Sequence, residues 1–501
     1  GAASATTVPA TGATGAGAAA RYSIGLVIAT GMSIGTLLVN GDLTLDTAST
    51  LAMEVSPAAA DRITVSGAAA LGGTLAVNAT GGTYLFNTNY TLLSGSAVTG
   101  SFGATTGLSG FGVPFDPTVT NTGTAVILRL RPASLVTLAG PNAGPNPLAV
   151  AAAFDRAVNG GYNPQPFYNL YTQGTNLVNA LSQLSGEVHS AERRVALEDT
   201  RVVRETAFDR INSGMSNAAG TQTATVSNGD KETTIWLRGV GSWGTAEADG
   251  RGAEFKTEQL GVLTGIDVAM SSGVKLGAMF TYTQTDIDFA TLGSSRVKST
   301  GGALYAGFKT SGFTFGVGGS YAGTQMDANR AITAPGLQQS LTSDASGNTY
   351  QLFAEAAYDF TIGEGSTFTP FGRIAYANTK AKAFGETGGI AAVSGVDQRY
   401  DITVTNLGLR GAFKAGPATI TGSAAWQRIE GDRAIGSFLT IAGVNQAANI
   451  YATAFDKDAA ALEAKASFAI GSKASIGVGY SGIVGSRNTD HGARATLSIG
   501  W

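Results

Sequence analysis

Few residues in this chain are equipped for catalysis. Its 501 residues include two histidines, His189 and His491, and no cysteine, which removes thiolate nucleophiles, disulfides and cysteine-ligated metals. GMSIG puts Ser33 in a GxSxG pattern, but a serine nucleophile needs a histidine within reach, and both histidines come far downstream. A turn of small residues is the reading kept there. GVGSWG (239–244) has the spacing of a dinucleotide loop, yet it runs through an alternating segment instead of a strand–helix junction. Asp286 and Asp288 in TDIDF are too few for a calcium loop. No catalytic, cofactor or metal site is expected.

The densest chemistry is ionic. SAERRVALEDTRVVRETAFDRIN carries Glu192, Arg193, Arg194, Glu198, Asp199, Arg201, Arg204, Glu205, Asp209 and Arg210. These are ten charges of both signs between Glu192 and Arg210. Val195, Val202, Val203, Phe208 and Ile211 make a thin apolar stripe on a polar helix, as on a solvated surface or in a polar cavity. Just upstream, Leu177, Leu181, Leu184 and Val188 recur at helical spacing. The net charge of −3 gives no reason to expect a nucleic-acid partner.

What positions this helix is written downstream of it. Charged residues are 13% of the chain and glycines number 70, and no apolar run is long enough for a transmembrane helix. From 233 onward, however, strand follows strand. In VKLGAMFTYT, Val274, Leu276, Ala278, Phe280 and Tyr282 alternate with Lys275, Gly277, Met279, Thr281 and Thr283; FTFGVGGSY, ALEAKASFAI and ASIGVGY do likewise. An apolar face against a glycine-rich, charged face suits lipid outside and water inside. Twelve strands are expected, at 233–243, 256–269, 273–286, 296–309, 312–324, 349–360, 366–378, 399–413, 416–429, 458–470, 473–485 and 491–501. Tight turns (SSG, KTSG, TIGEGS, KAGP, GSK) join even strands to odd ones, and the long polar links 325–348, 379–398 and 430–457 join odd to even, as in a transmembrane β-barrel. In DITVTNLGLRGAF the apolar parity shifts between Val404 and Leu407, which predicts a bulge.

With an even number of strands, both barrel ends lie on the short-turn side. If the N-terminal region lies on the other side, the chain must cross the lumen. About 25 helical residues span ~37 Å, enough for a ~30 Å hydrocarbon layer. The helix would then meet inward-facing Arg494, Lys465, Glu463, Glu355, Arg373 and Lys309; a helix outside the barrel is the alternative. Residues 1–135 hold short alternating stretches separated by Gly, Asn, Asp and Thr, which reads as a stacked β-solenoid or, alternatively, a β-sandwich. The fold class expected is all-β with a helical linker: residues 1–135 a solenoid stem, 136–232 a helical linker, and 233–501 a 12-stranded antiparallel barrel with the helix in its lumen. Residue 1 is Gly, so either a leader has been removed or the chain is the C-terminal part of a longer one.

Several segments resemble a monomeric autotransporter of the type V secretion systems. LSQLSGEVHSAERR (181–194) is similar to that family's pre-barrel segment. FDKDAAALEAKASFAIGSKASIGVGYSGIVGS and the closing DHGARATLSIGW resemble its last three strands. DRITVSGAAALGGTLAV and YTLLSGSAVTGSF resemble the end of its β-helical passenger. The resemblance implies a Gram-negative outer-membrane barrel that delivers its own N-terminal passenger to the cell surface. It implies outer-membrane lipid, the barrel-assembly machinery and periplasmic chaperones as partners, with one chain per barrel and no cofactor. Trp501, Ile499, Leu497 and Ala495 would form the family's assembly signal. No Asn–Asn pair occurs between 188 and 215, so passenger release by the asparagine route is not expected. A porin-like channel with a periplasmic β-domain, and a surface adhesin, stand as alternatives.

Overall fold

The computed structural model describes residues 21–24, 27–28, 34–213, 226–228, 231–363, 365–470 and 474–500. Ser33 and Trp501 lie outside the described residues. The chain divides into two compact units, Gly1–Pro141 with Phe154–Leu177, and Asn142–Ala153 with Val178–Trp501.

In the first unit, period-two alternation broken by turn residues produces short strands that stack in parallel. One wall is Arg21–Ile24, Asp42–Leu45, Ala68–Leu71 and Ala97–Gly100; the second is Val27–Ile28, Thr50–Val55, Thr74–Ala79 and Ala104–Thr106; the third is Thr36–Val39, Arg62–Val65 and Asn89–Ser94. Successive coils set Leu51 on Leu75, Met53 on Val77 and Ile63 on Leu93, all buried. This is the β-solenoid; three parallel walls are incompatible with an antiparallel sandwich. Buried Asp61 ties two corners by accepting from the Gly35 and Glu54 amides at 2.8 and 2.7 Å.

The last coil needs a cover, because exposed strand edges invite further pairing. An antiparallel hairpin, Phe115–Asn121 with Ala125–Pro132, lies against Asn89–Ser94. At its tip Asn121 donates from Nδ2 to Val98 O and Gly100 O, both at 3.2 Å, and Gly123 O accepts from Val98 N. Gly107 makes the preceding corner with φ of 80°, and a Cβ there would lie 1.9 Å from Val77 O.

The second unit contains the barrel. Its strands are β1 Lys231–Ala246, β2 Phe255–Met270, β3 Val274–Phe289, β4 Gly293–Thr310, β5 Phe313–Ile332, β6 Gln339–Tyr358, β7 Ser366–Ala381, β8 Gln398–Ala415, β9 Ala418–Gly431, β10 Asp458–Ile470, β11 Ala474–Gly485 and β12 Asn488–Gly500. Neighbours pair antiparallel, and β12 returns to β1 from Thr234↔Gly500 to Ala246↔Asn488. Two aromatic girdles mark the lipid-facing band. Trp243, Tyr282, Tyr321, Tyr350, Tyr376 and Trp426 are exposed toward the loop end; Phe308, Phe313, Phe315, Phe368, Phe413 and Phe468 are exposed toward the turn end. From Phe313 to Tyr321 is ~26 Å along the strand, or ~20 Å after a tilt of about 40°, close to the usual apolar band.

Two expectations are corrected. The 325–348 link is mostly strand: β5 and β6 pair as far as Ile332↔Gln339, leaving 333–338 as the connection. The bulge near Val404 is absent, since β8 pairs with β7 without a shift from Val404↔Ala375 to Leu407↔Gly372. One physical cause explains both. Within the band, lipid demands apolar residues outside, as at Leu407, Leu409 and Phe413; beyond it, water is outside, and Tyr400, Ile402 and Val404 are buried inside against Leu197. Strand parity stays constant while the apolar face switches sides. The two other long links build a small antiparallel sheet from Phe384–Gly385, Val393–Gly395, Gly436–Ile441 and Gln446–Tyr451 at the loop end.

The solenoid corner is testable. Gly107→Ala combines left-handed strain, about 1–3 kcal/mol, with a backbone clash, whereas Gly81→Ala has the strain (φ of 85°) but open space. Limited proteolysis of the full chain in urea should show residues 34–132 opening at clearly lower urea in the first variant than in the second; equal midpoints would show that the close approach is unimportant.

Candidate functional site: the occupied barrel lumen

The polar helix occupies the barrel interior as α1 (Val188–Glu198) and α2 (Thr200–Asn212), joined through Asp199, which keeps helical dihedrals. It runs from the loop end to the turn end. Its thin apolar stripe is used twice. Val188, Ala191 and Val195 pack on Ile287, Val297 and Met326; Ala207, Phe208 and Ile211 pack on Leu263, Met279, Ala303 and Phe353. Gly316 leaves the room that Ile211 fills.

The charged face meets the wall residue by residue. Glu192 accepts from Ser295 Oγ at 2.6 Å, and Arg193 lies over the Phe384 ring. Arg194 donates to Asn488 Oδ1 at 2.7 Å, pairs with Glu198 at 3.2 Å and lies between Phe255 and Phe455. Asp199 accepts from Gln259 Nε2 at 2.7 Å and Thr285 Oγ1 at 3.0 Å. Arg201 pairs with Asp490 and has Glu205 at 3.8 Å; Arg204 donates to Thr200 Oγ1. Asp209 meets Arg238 at 3.1 Å and Arg494 at 3.5 Å. Arg210 pairs with Asp267, donates to Ser498 Oγ at 3.1 Å and lies over Trp236.

On the wall, Arg494 pairs with Glu463 at 2.8 Å, Arg373 with Glu355 and with Glu463 at 3.4 Å, and Arg410 with Glu355 at 2.9 Å. Asn212 donates to Glu355, Arg373 stacks on Phe208, and Lys465 lines a small cavity with Asp209 and Arg494. Lys309 stands apart, paired with Asp359 at 2.7 Å near the turns. Arg238, Asp267, Arg410 and Asp490 were not singled out from the sequence, and Lys275 was read only as a polar-face residue of its strand, although each is a charged residue at an inward strand position. Lys275 Nζ donates to Arg210 O at 2.6 Å and Ser213 O at 2.7 Å, closing the C-terminus of α2. Breaking one such buried pair by removing a partner costs about 3–5 kcal/mol, because it leaves an uncompensated buried charge.

Among the described residues, pockets beside the helix include four of about 20 to 50 Å³, each with room for isolated waters. At the loop end a polar collar grips the start of the helix. His189 lies between Glu192 at 3.1 Å and Glu386 at 2.8 Å, and Glu386 pairs with Arg330 at 2.7 Å. Glu187 accepts from Asn146 Nδ2 at 2.8 Å and from the Ala253 amide. The collar lies beyond the outer girdle, Arg330 being nine residues past Tyr321 on β5. Burial pushes the Glu187 carboxyl up to about 7 despite those donors. Burial disfavours a charged His189, but Glu192 and Glu386 outweigh it and raise its pKa. Burial would also raise Glu386, but Arg330 and His189 hold it at about 2.

The last strand uses both edges. Ile499, Leu497 and Ala495 face lipid opposite Ile235, Leu237 and Gly239 of β1, and β11 covers the other side.

Residues 235–481 match the family described as Autotransporter beta-domain. Two proteins from Serratia marcescens described as extracellular serine protease are 26% and 25% identical over 332 residues. That segment is 66% of this chain and 31% of each relative, so the chain spans about a third of their length. Among solved structures, the translocator domain of autotransporter NalP from Neisseria meningitidis aligns at 15% identity and a TM-score of 0.49, over 61% of this chain and 96% of that one. The β-domain of the Bordetella autotransporter BrkA aligns at 16% and 0.40, over 53% and 98%.

The collar should respond to pH. Glu187 and His189 have raised values, so their stabilisation is present in acid: that of Glu187 is lost between 4.5 and about 7, and that of His189 as pH rises past 6.5. Glu386 has a lowered value, so its contribution is lost only as pH falls from 4.5 toward about 2. Hydrogen-exchange protection of residues 183–192 and 384–395 should therefore be greater at about pH 6 than at about pH 8. The difference should shrink in Glu187→Gln/His189→Gln; an unchanged difference would exclude these groups as its source.

Proposed function

We propose that the barrel, of which residues 235–481 match the Autotransporter beta-domain family, is an outer-membrane translocator that carries its own N-terminal solenoid to the cell surface and then remains plugged by α1 and α2. The observation that supports this most is the single pass through the lumen. Val188 lies at the loop end, Asn212 at the turn end, and β1 begins again at the turn end. This is the path that a chain threaded through the barrel would take upstream of Val188. The channel reading predicts open space; against it stands the helix itself, with pockets beside it, among the described residues, that admit isolated waters.

The serine-protease description belongs to the relatives, and catalysis is given no place in this chain. His189 has carboxylates on both ring nitrogens, and His491 holds Tyr480 on Nδ1 at 2.7 Å. Among the described residues, the side-chain partners of the two rings are Glu192, Glu386 and Tyr480. In this reading the assembly machinery and periplasmic chaperones act before closure, when Ala495, Leu497 and Ile499 are still on an unpaired strand, with Trp501 as the terminal anchor.

The absence of native cysteine permits a direct test. Ala48 and Ser272 are both exposed, the first at a solenoid corner and the second in the β2–β3 turn. A membrane-impermeant maleimide on intact cells should label Ala48→Cys and spare Ser272→Cys. Labelling at neither until the outer membrane is broken would overturn surface delivery. Separately, Leu497→Asp should greatly reduce the heat-modifiable barrel band recovered from outer membranes. Normal recovery would remove this strand position from the assembly signal.

A further inference from the structure

We propose that the luminal helix is a cross-brace that holds the barrel's closing seam together. Closure joins β1 and β12, strands from opposite ends of the barrel sequence with no turn between them. No turn holds the two strands of this junction together, so its closure depends on the pairing and side chains across it alone. Its lipid face adds little side-chain packing, because Gly239, Gly241, Ala493 and Ala495 occupy the middle of it.

The inner face supplies what the outer face lacks. The body of the helix rests on the opposite wall, with Phe208 against Phe353 of β6 and Ile211 against Gly316 of β5. Its long side chains cross the lumen to β12 at four levels. Arg194 reaches Asn488, Arg201 reaches Asp490, Asp209 meets Arg494, and Arg210 reaches Ser498. All four β12 residues are buried and share the inward parity. The other side of the seam is held by Arg238 of β1, which pairs with Asp209, donates to Thr206 Oγ1 at 3.1 Å and donates to Thr496 Oγ1 of β12 at 3.0 Å.

The spacing fits one register. From Arg194 to Arg210 the helix rises ~24 Å. From Asn488 to Ser498 the strand covers ~33 Å along its path, or ~25 Å along the barrel axis at a tilt of about 40°. A helix displaced by one turn, about 5.4 Å, would separate these four pairs, so they form together only when the helix is fully threaded. Stable lateral closure is thereby tied to the position of the helix, a role separate from filling the pore. It rests on the contacts themselves and not on the direction of transport.

Hydrogen exchange on the purified full chain in lipid nanodiscs tests this. Arg201→Gln and the milder Asp490→Ala and Ser498→Ala remove contacts to β12. Glu192→Ala and Asp199→Ala remove buried contacts of the same helix to β4 and to β2 and β3. Exchange in 234–246 and 488–500 should rise about ten-fold in the first group, with β7 and β8 unchanged. The control variants should leave the seam protected. Equal loss in both groups would mean that general loosening of the helix is responsible, and an undisturbed seam in the first group would also overturn the proposal. Should Arg201→Gln fail to assemble, the two milder variants carry the same comparison.

Discussion

A charge buried inside a membrane-embedded wall must find a partner, and most of this barrel's interior is arranged around that requirement. Charges on α1 and α2 meet wall ions at Arg201, Asp209 and Arg210 and neutral polar wall groups at Glu192, Arg194 and Asp199, where an unpaired ion would be expensive. The balance of five acids and five arginines lets the helix sit in the lumen without a large net field. It also makes the fit discriminating. An apolar plug could rotate or slide with little change in energy, whereas Arg210 must meet Asp267 and Lys275 must meet the last carbonyls of α2.

The second organising constraint is the change of solvent along each strand. Between the girdles lipid is outside and polar groups are inside; past the outer girdle water is outside and apolar residues turn inward. β8 shows both regimes in one strand, Leu407 and Leu409 facing out below and Tyr400 and Ile402 facing in above. The inward apolar side chains beyond the band let the loop-end strands and the small four-stranded sheet close around the start of α1. The collar of Glu187, His189, Arg330 and Glu386 is polar for the same reason as the lumen: it encloses main-chain and charged groups that need partners.

Both units contain strands, and each meets the problem of exposed edges differently. The solenoid ends in an antiparallel hairpin whose Asn121 satisfies the carbonyls of the final coil. The barrel removes its edges by joining β12 to β1. That joint gains little from its glycine- and alanine-lined outer face, and the arginines of the helix compensate from within.

Much of this was readable from one dimension. Period-two alternation over about ten residues, with tight turns on one side and long links on the other, is enough to specify twelve antiparallel strands, because every residue must face either lipid or lumen. The solenoid was legible for a similar reason: Leu51 and Leu75, or Met53 and Val77, repeat the same apolar positions in successive coils. The charge content of 192–210 also announced a helix in polar surroundings. Pairing was another matter. Inward parity makes Asp490, Asp267 and Arg238 candidates, but which arginine each meets depends on strand tilt, register and helix rotation, none of which is local. Lys309 shows the converse, an inward charge taken by Asp359 before it can reach the helix. The position where lipid gives way to water was likewise invisible, because parity carries no height; only the closed barrel supplies the height at which Val404 and Leu407 find themselves in different solvents.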